Sequence, residues 1–186
     1  MYDLLKKLSQ NSAFYTFANS IEAFSPFLLA IILTRLLAPA EYGVWVLFIA
    51  LVTFLRPVVN LTVQDALRMQ FYEMDDVERA RFVWSSLWLT TVFAVTLIGI
   101  SLIFARPLAA ALSLPEKWLV AIPIAAYLYA FFYFVLAFKQ FDQKRRRFLG
   151  LHVIQTTASL VFISFLVISG WGWPGVVVGK ISGLVV

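Results

Sequence analysis

Four side chains in this sequence carry chemistry that their surroundings make costly: Asn19, Glu22, Arg56 and Lys180. Each lies inside a long apolar run, and an ionisable group in hydrocarbon is a functional candidate by default. Glu22 shares one helical stripe with Asn11, Tyr15, Asn19 and Pro26, at steps of three or four residues. Such a stripe faces a wet cavity or another helix. Glu22 is therefore a candidate to hold a coupling proton or cation, with an interhelical hydrogen bond or ion pair as the structural alternative. Arg56 precedes Pro57. Arginine stays charged and matches phosphate oxygens with two parallel N–H donors, so Arg56 is a candidate for binding an anion in a central cavity. The alternative is an arginine about 10 Å from its helix end that snorkels to the interface. Lys180 lies beside Gly175, Gly179 and Gly183, a stripe of small residues that lets helices approach closely. Lys180 either faces the cavity or pairs with Glu22. Asn19, Arg56 and Lys180 are the candidate cavity-lining, substrate-binding residues, and Glu22 the candidate for ion coupling.

The elements that must position these residues follow from composition. Of 186 residues, 62% are hydrophobic and 13% are charged. Soluble domains carry about 25% charged residues, and only a chain whose exterior is lipid manages with so few. There is no cysteine and a single histidine, His152, which rules out thiolate or multi-histidine metal sites. No cofactor is called for. The net charge of +5 is assigned to loop topology rather than to nucleic acid.

The expected fold is all-α: a polytopic transmembrane bundle of about six spans. The spans are expected over residues 14–37, 42–63, 82–104, 118–138, 148–169 and 174–186. The last is incomplete, because 13 residues reach roughly 20 Å of a hydrocarbon core about 30 Å thick. The chain is accordingly read as the N-terminal portion of a longer protein, with a short half-helix supported by its neighbours as the alternative. Lys6, Lys7, Arg68, Arg79, Arg81, Lys139, Lys144, Arg145, Arg146 and Arg147 fall on one side, and Arg35, Arg106 and Lys117 on the other. That asymmetry puts the N-terminus in the cytoplasm. Between spans two and three, Leu67, Phe71, Met74 and Val77 recur at helical spacing among charged residues. Residues 64–81 are therefore expected to form one short amphipathic helix at the cytoplasmic surface. Pro26, Pro57 and Pro123, inside spans, each permit a bend. A membrane enzyme is disfavoured: His152 is alone, Asp75-Asp76 sits among basic residues, and no nucleophile–base pair or phosphate-cradling loop appears.

The stretch Leu33-Thr34-Arg35-Leu36-Leu37-Ala38-Pro39-Ala40-Glu41-Tyr42-Gly43-Val44-Trp45 resembles the first external loop of the polysaccharide flippases. Ala66-Leu67-Arg68 and the turn Gly170-Trp171-Gly172-Trp173-Pro174-Gly175 are similar to further features of that family. The resemblance spans essentially the whole chain. It is to the Wzx-like oligosaccharide flippases of the multidrug/oligosaccharidyl-lipid/polysaccharide exporter superfamily. It implies one bundle of a two-bundle transporter in the cell inner membrane. The implied activity moves an undecaprenyl-diphosphate-linked oligosaccharide between leaflets by alternating access, coupled to a proton or sodium gradient. Membrane lipid and the polysaccharide polymerase and ligase are the implied partners. A cation-coupled multidrug exporter of the same superfamily is the alternative. Arg56-Pro57 matches no family motif, and Arg35, Pro39, Glu41, Tyr42 and Gly43 are read as structural.

Overall fold

A computed structural model describes residues 16, 20, 23–61, 63–70, 73–141 and 145–185. Among them the chain is helical and contains no strand. The helices are α1 (Ala23–Leu36), α2 (Pro39–Asn60), α3 (Val63–Gln70), α4 (Asp76–Ile103), α5 (Ala105–Leu112), α6 (Glu116–Leu119), α7 (Ala121–Phe141), α8 (Arg145–Leu166) and α9 (Gly172–Val185), with a π turn at Val167–Trp171. Four stretches are long and apolar enough to cross a membrane: Pro39–Asn60, Asp76–Ile103, Glu116–Phe138 and Gly150–Leu184. The fourth is folded on itself. Gly170 (φ 83°) and Gly172 (φ 58°) leave helical geometry, so it holds the fifth and sixth expected segments as two arms. The first expected segment is described continuously only from Ala23.

The outward surface fits lipid. Phe54, Trp84 and Ile103 are 74%, 74% and 77% exposed, far beyond what a soluble surface shows in contiguous patches. Several hydroxyls on these helices close on their own backbone. Thr34, Thr96 and Ser169 each donate to the carbonyl four residues earlier, at 2.8–2.9 Å, which leaves no unmet donor where water is absent.

Local signals explain where the helices start. Pro39 opens α2 at a position where its missing N–H costs nothing. Asp75 caps α4 through a reciprocal box: Glu78 N–H donates to Asp75 Oδ1 at 2.7 Å, and Asp75 N–H donates to Glu78 Oε2 at 3.2 Å. This box corrects the expectation of one amphipathic helix over residues 64–81. α3 is described to Gln70, residues 73–75 are not helical, and a new helix of 28 residues begins at Asp76. α3 also does not present its apolar side to lipid: Val63 and Leu67 are buried against Phe134, with Phe82, Leu87 and Phe138 around them. Pro123 falls just past Val120, which alone separates α6 from α7 within one membrane-length stretch, and its missing N–H leaves the Leu119 carbonyl without its usual helical donor. Between α4 and α7 the chain forms the short helices α5 and α6, with left-handed Ser113 (φ 53°) between them.

The chain divides into two compact units, residues 44–141 and residues 1–43 with 142–186. In the first, α4 packs on α7, and α3 packs on α7 as well. In the second, α8 and α9 form an antiparallel hairpin, in which Gly175, Gly179 and Gly183 face Leu166, Ile163 and Ser159 in turn.

Candidate functional site

The inner face of α2 is set by spacing. Trp45, Phe48, Val52 and Val59 are buried at steps of three, four and seven residues. Arg56 falls on that same stripe and is half-buried. Its guanidinium carbon lies 4.7 Å from the centroid of the Tyr133 ring on α7. Tyr133 in turn stacks on Tyr129, with centroids 6.4 Å apart and planes 15° from parallel. The guanidinium thus rests on an aromatic column. A cation over a ring is held by the ring quadrupole. That attraction consumes no strong acceptor, so the N–H donors of Arg56 stay available. Among the described residues no carboxylate pairs with Arg56. Nearer the start of α2, Trp45 stacks on Phe48 at 6.3 Å, and Phe48 meets the edge of Trp118 at 6.5 Å. The Phe48–Trp118 contact places a pair of large rings between α2 and α6. Pro57 follows Arg56 inside α2 and frees one carbonyl a turn earlier.

Lys180 belongs to the other compact unit. It is half-buried on a stripe of α9 with buried Trp173, Val176 and Leu184. The glycine face beside it is a packing device. A Cβ at Gly179 would sit 2.6 Å from the Ile163 nitrogen, and one at Gly183 would sit 2.8 Å from the Ser159 Cα. No side chain fits between these backbones. Asn19 and Glu22, with Asn11 and Tyr15 of their stripe, lie outside the described residues.

Sequence reasoning missed a buried polar seam on α8. His152, Gln155, Thr156 and Ser159 are all at least nine-tenths buried. Gln155 Nε2 donates to Ser159 Oγ at 3.2 Å, and Thr156 Oγ1 donates to Gln155 Oε1 at 3.4 Å. The signal was present in the spacing, at i, i+3, i+4 and i+7, but His152 was weighed only as a metal or catalytic residue.

The loop stretch and the glycine-rich turn, which carried the family resemblance, meet in space. The Glu41 carboxylate lies against Gly172, its carboxyl carbon 3.2 Å from where a Cβ would stand. Glu41 also accepts a long hydrogen bond from the Ala38 N–H at 3.4 Å. These residues brace the start of α2 against the hairpin turn.

A family model described as "Polysaccharide biosynthesis protein" matches residues 8–186. No curated protein and no solved structure matches the chain.

Proposed function

The chain belongs to the polysaccharide biosynthesis protein family, and on that premise we propose that it is a transporter that flips a lipid-linked oligosaccharide across the inner membrane. The N-terminus is cytoplasmic in this reading, and the substrate is an undecaprenyl-diphosphate carrying the glycan. A diphosphate resists the bilayer because a charge moved into low dielectric loses its hydration, at a cost of tens of kcal/mol for an isolated ion. A flippase must replace that hydration with fixed donors. The observation that carries the proposal is Arg56: half-buried on the inner face of a membrane-length helix, stacked on Tyr133, and without a described acid partner. Such a guanidinium binds a phosphate oxygen pair in bidentate fashion. In this reading Lys180 adds a second positive charge, Asn19 contributes hydrogen bonds to the glycan or phosphate, and Glu22 carries the coupling proton or sodium ion. The chemistry breaks no covalent bond, so the protein acts by binding and alternating access rather than as an enzyme.

The test is glycan export in cells that depend on this protein. Arg56→Ala is expected to abolish surface glycan while membrane abundance is retained, and Arg56→Lys to restore only part of it, because lysine keeps the charge but not the fork of donors. Full export by Arg56→Ala would remove the anion-site reading. Resistance to cationic drugs that depends on Arg56, with glycan export unchanged, would favour the drug-exporter alternative.

A further inference from the structure

Asn60 ends α2 one turn below Arg56 and is 4% exposed. Ser86 and Thr90, one turn apart on α4, are 7% and 6% exposed. These three and Tyr127 line a partly open cavity whose other walls include Phe134 and Phe131, the latter 44% exposed. All belong to the same compact unit. The space open to the centre of a water-sized molecule is about 10 Å³, which fits one water and nothing larger.

The polar groups around this space are unevenly satisfied. The Thr90 hydroxyl donates to the Ser86 carbonyl at 2.8 Å. The Tyr127 hydroxyl shares a hydrogen bond with the Thr91 hydroxyl at 3.0 Å. Among the described residues, neither the Asn60 amide nor the Ser86 hydroxyl makes a side-chain hydrogen bond. Neither group is sealed from a water-sized molecule, and a polar group that lacks a protein partner but can reach water is satisfied by it. A carboxamide and a hydroxyl with spare capacity, facing a gap of one water's size, meet the two to four polar partners that a buried water needs.

The geometry points to a structural hydration site: a single water held between Asn60 and Ser86, within reach of the Thr90 and Tyr127 hydroxyls, that hydrogen-bonds the last turn of α2 to α4 and α7. A monovalent cation fits less well. The donors are neutral, two aromatic rings line the walls, and the nearest charge along α2 is the positive Arg56. A cation in such a place has no counter-charge. The site stands independently of what the protein transports.

The test is water-to-protein magnetisation transfer by solid-state NMR on the full chain in lipid bilayers. Val59-Asn60 is the single Val-Asn pair in the sequence, so carbonyl-labelled valine with uniformly carbon- and nitrogen-labelled asparagine picks out the Asn60 backbone nitrogen and, through the asparagine carbons, its own side-chain amide without a mutation. The expected result is rapid transfer from water to the Asn60 side-chain amide. Ser86→Val, whose added methyl group fills the gap, is expected to abolish it. Absence of transfer in the unmodified protein overturns the proposal, and that measurement needs no variant to fold. Transfer that persists unchanged in a folded Ser86→Val protein overturns it equally.

Discussion

The α8–α9 hairpin and the α2–α4–α7 group solve the same problem in opposite ways. Both bury polar side chains in apolar helices. In the hairpin, glycines bring backbones so close that a Cβ at Gly179 would collide with Ile163. The polar groups of α8 hydrogen-bond along their own helix, as Gln155 does to Ser159. In the other group, large rings such as Phe48 and Trp118 meet between helices. Arg56 keeps its donors, and Asn60 and Ser86 border a gap. The difference teaches where to look for function. A tight, self-satisfied interface is a hinge pin or a wall. An interface lined by aromatic rings, with donors left over, is where a polar guest fits.

Four experiments break or sharpen that contrast, taken from the largest effect to the smallest. Gly179→Leu should collapse the hairpin. Overpacking a filled interface costs about 3 kcal/mol, and this contact is backbone against backbone, so little monodisperse protein should survive detergent extraction on size-exclusion chromatography. Wild-type behaviour of that variant would mean the glycine face is not a close contact. Tyr133→Leu should come next, and it should act on transport more than on folding. A cation–π contact is worth about 1 kcal/mol at a partly desolvated site, so apparent substrate affinity should fall about fivefold. Tyr133→Phe keeps the ring and should stay close to wild type. Equal losses in both variants would show that the hydroxyl matters, not the face beneath Arg56. Asp75→Ala removes the N-cap of α4 and should lower stability by about 1 kcal/mol, read as a fall in Tm of about 2–4 °C. Asp76→Asn should change the Tm least of all. Asp76 pairs with Arg79 at 2.9 Å, but its side chain is 96% exposed, and such pairs contribute little.

Much of the framework was legible in the sequence, because hydrophobic runs depend only on local composition. The all-helical class and the glycine packing face at Gly175, Gly179 and Gly183 followed from run length and a step of four. What failed to appear depended on partners distant in sequence or on short-range competition. The Asp75 box looks like two ordinary charged residues until the capping bonds are seen, so the break before Asp76 was hidden inside an apparently continuous amphipathic pattern. Arg56 left two readings open from sequence, snorkelling or an inward site, because its ring partner lies on α7. Asn60 gave no signal at all: a lone asparagine at a helix end is ordinary, and its significance comes from the gap it faces. Asn19 and Glu22 remain sequence-level candidates, lying outside the described residues.

The central claim is that Arg56 recognises the diphosphate of a lipid-linked glycan. The most direct test is binding to the purified protein in nanodiscs, comparing the diphosphate-linked glycan lipid with the same glycan on the uncharged polyprenol. The account predicts that the unmodified protein prefers the diphosphate by about tenfold or more, the worth of one charge-assisted bidentate pair, and that Arg56→Ala binds both lipids alike. Equal binding of the two lipids by the unmodified protein, or a preference that survives Arg56→Ala undiminished, would contradict it.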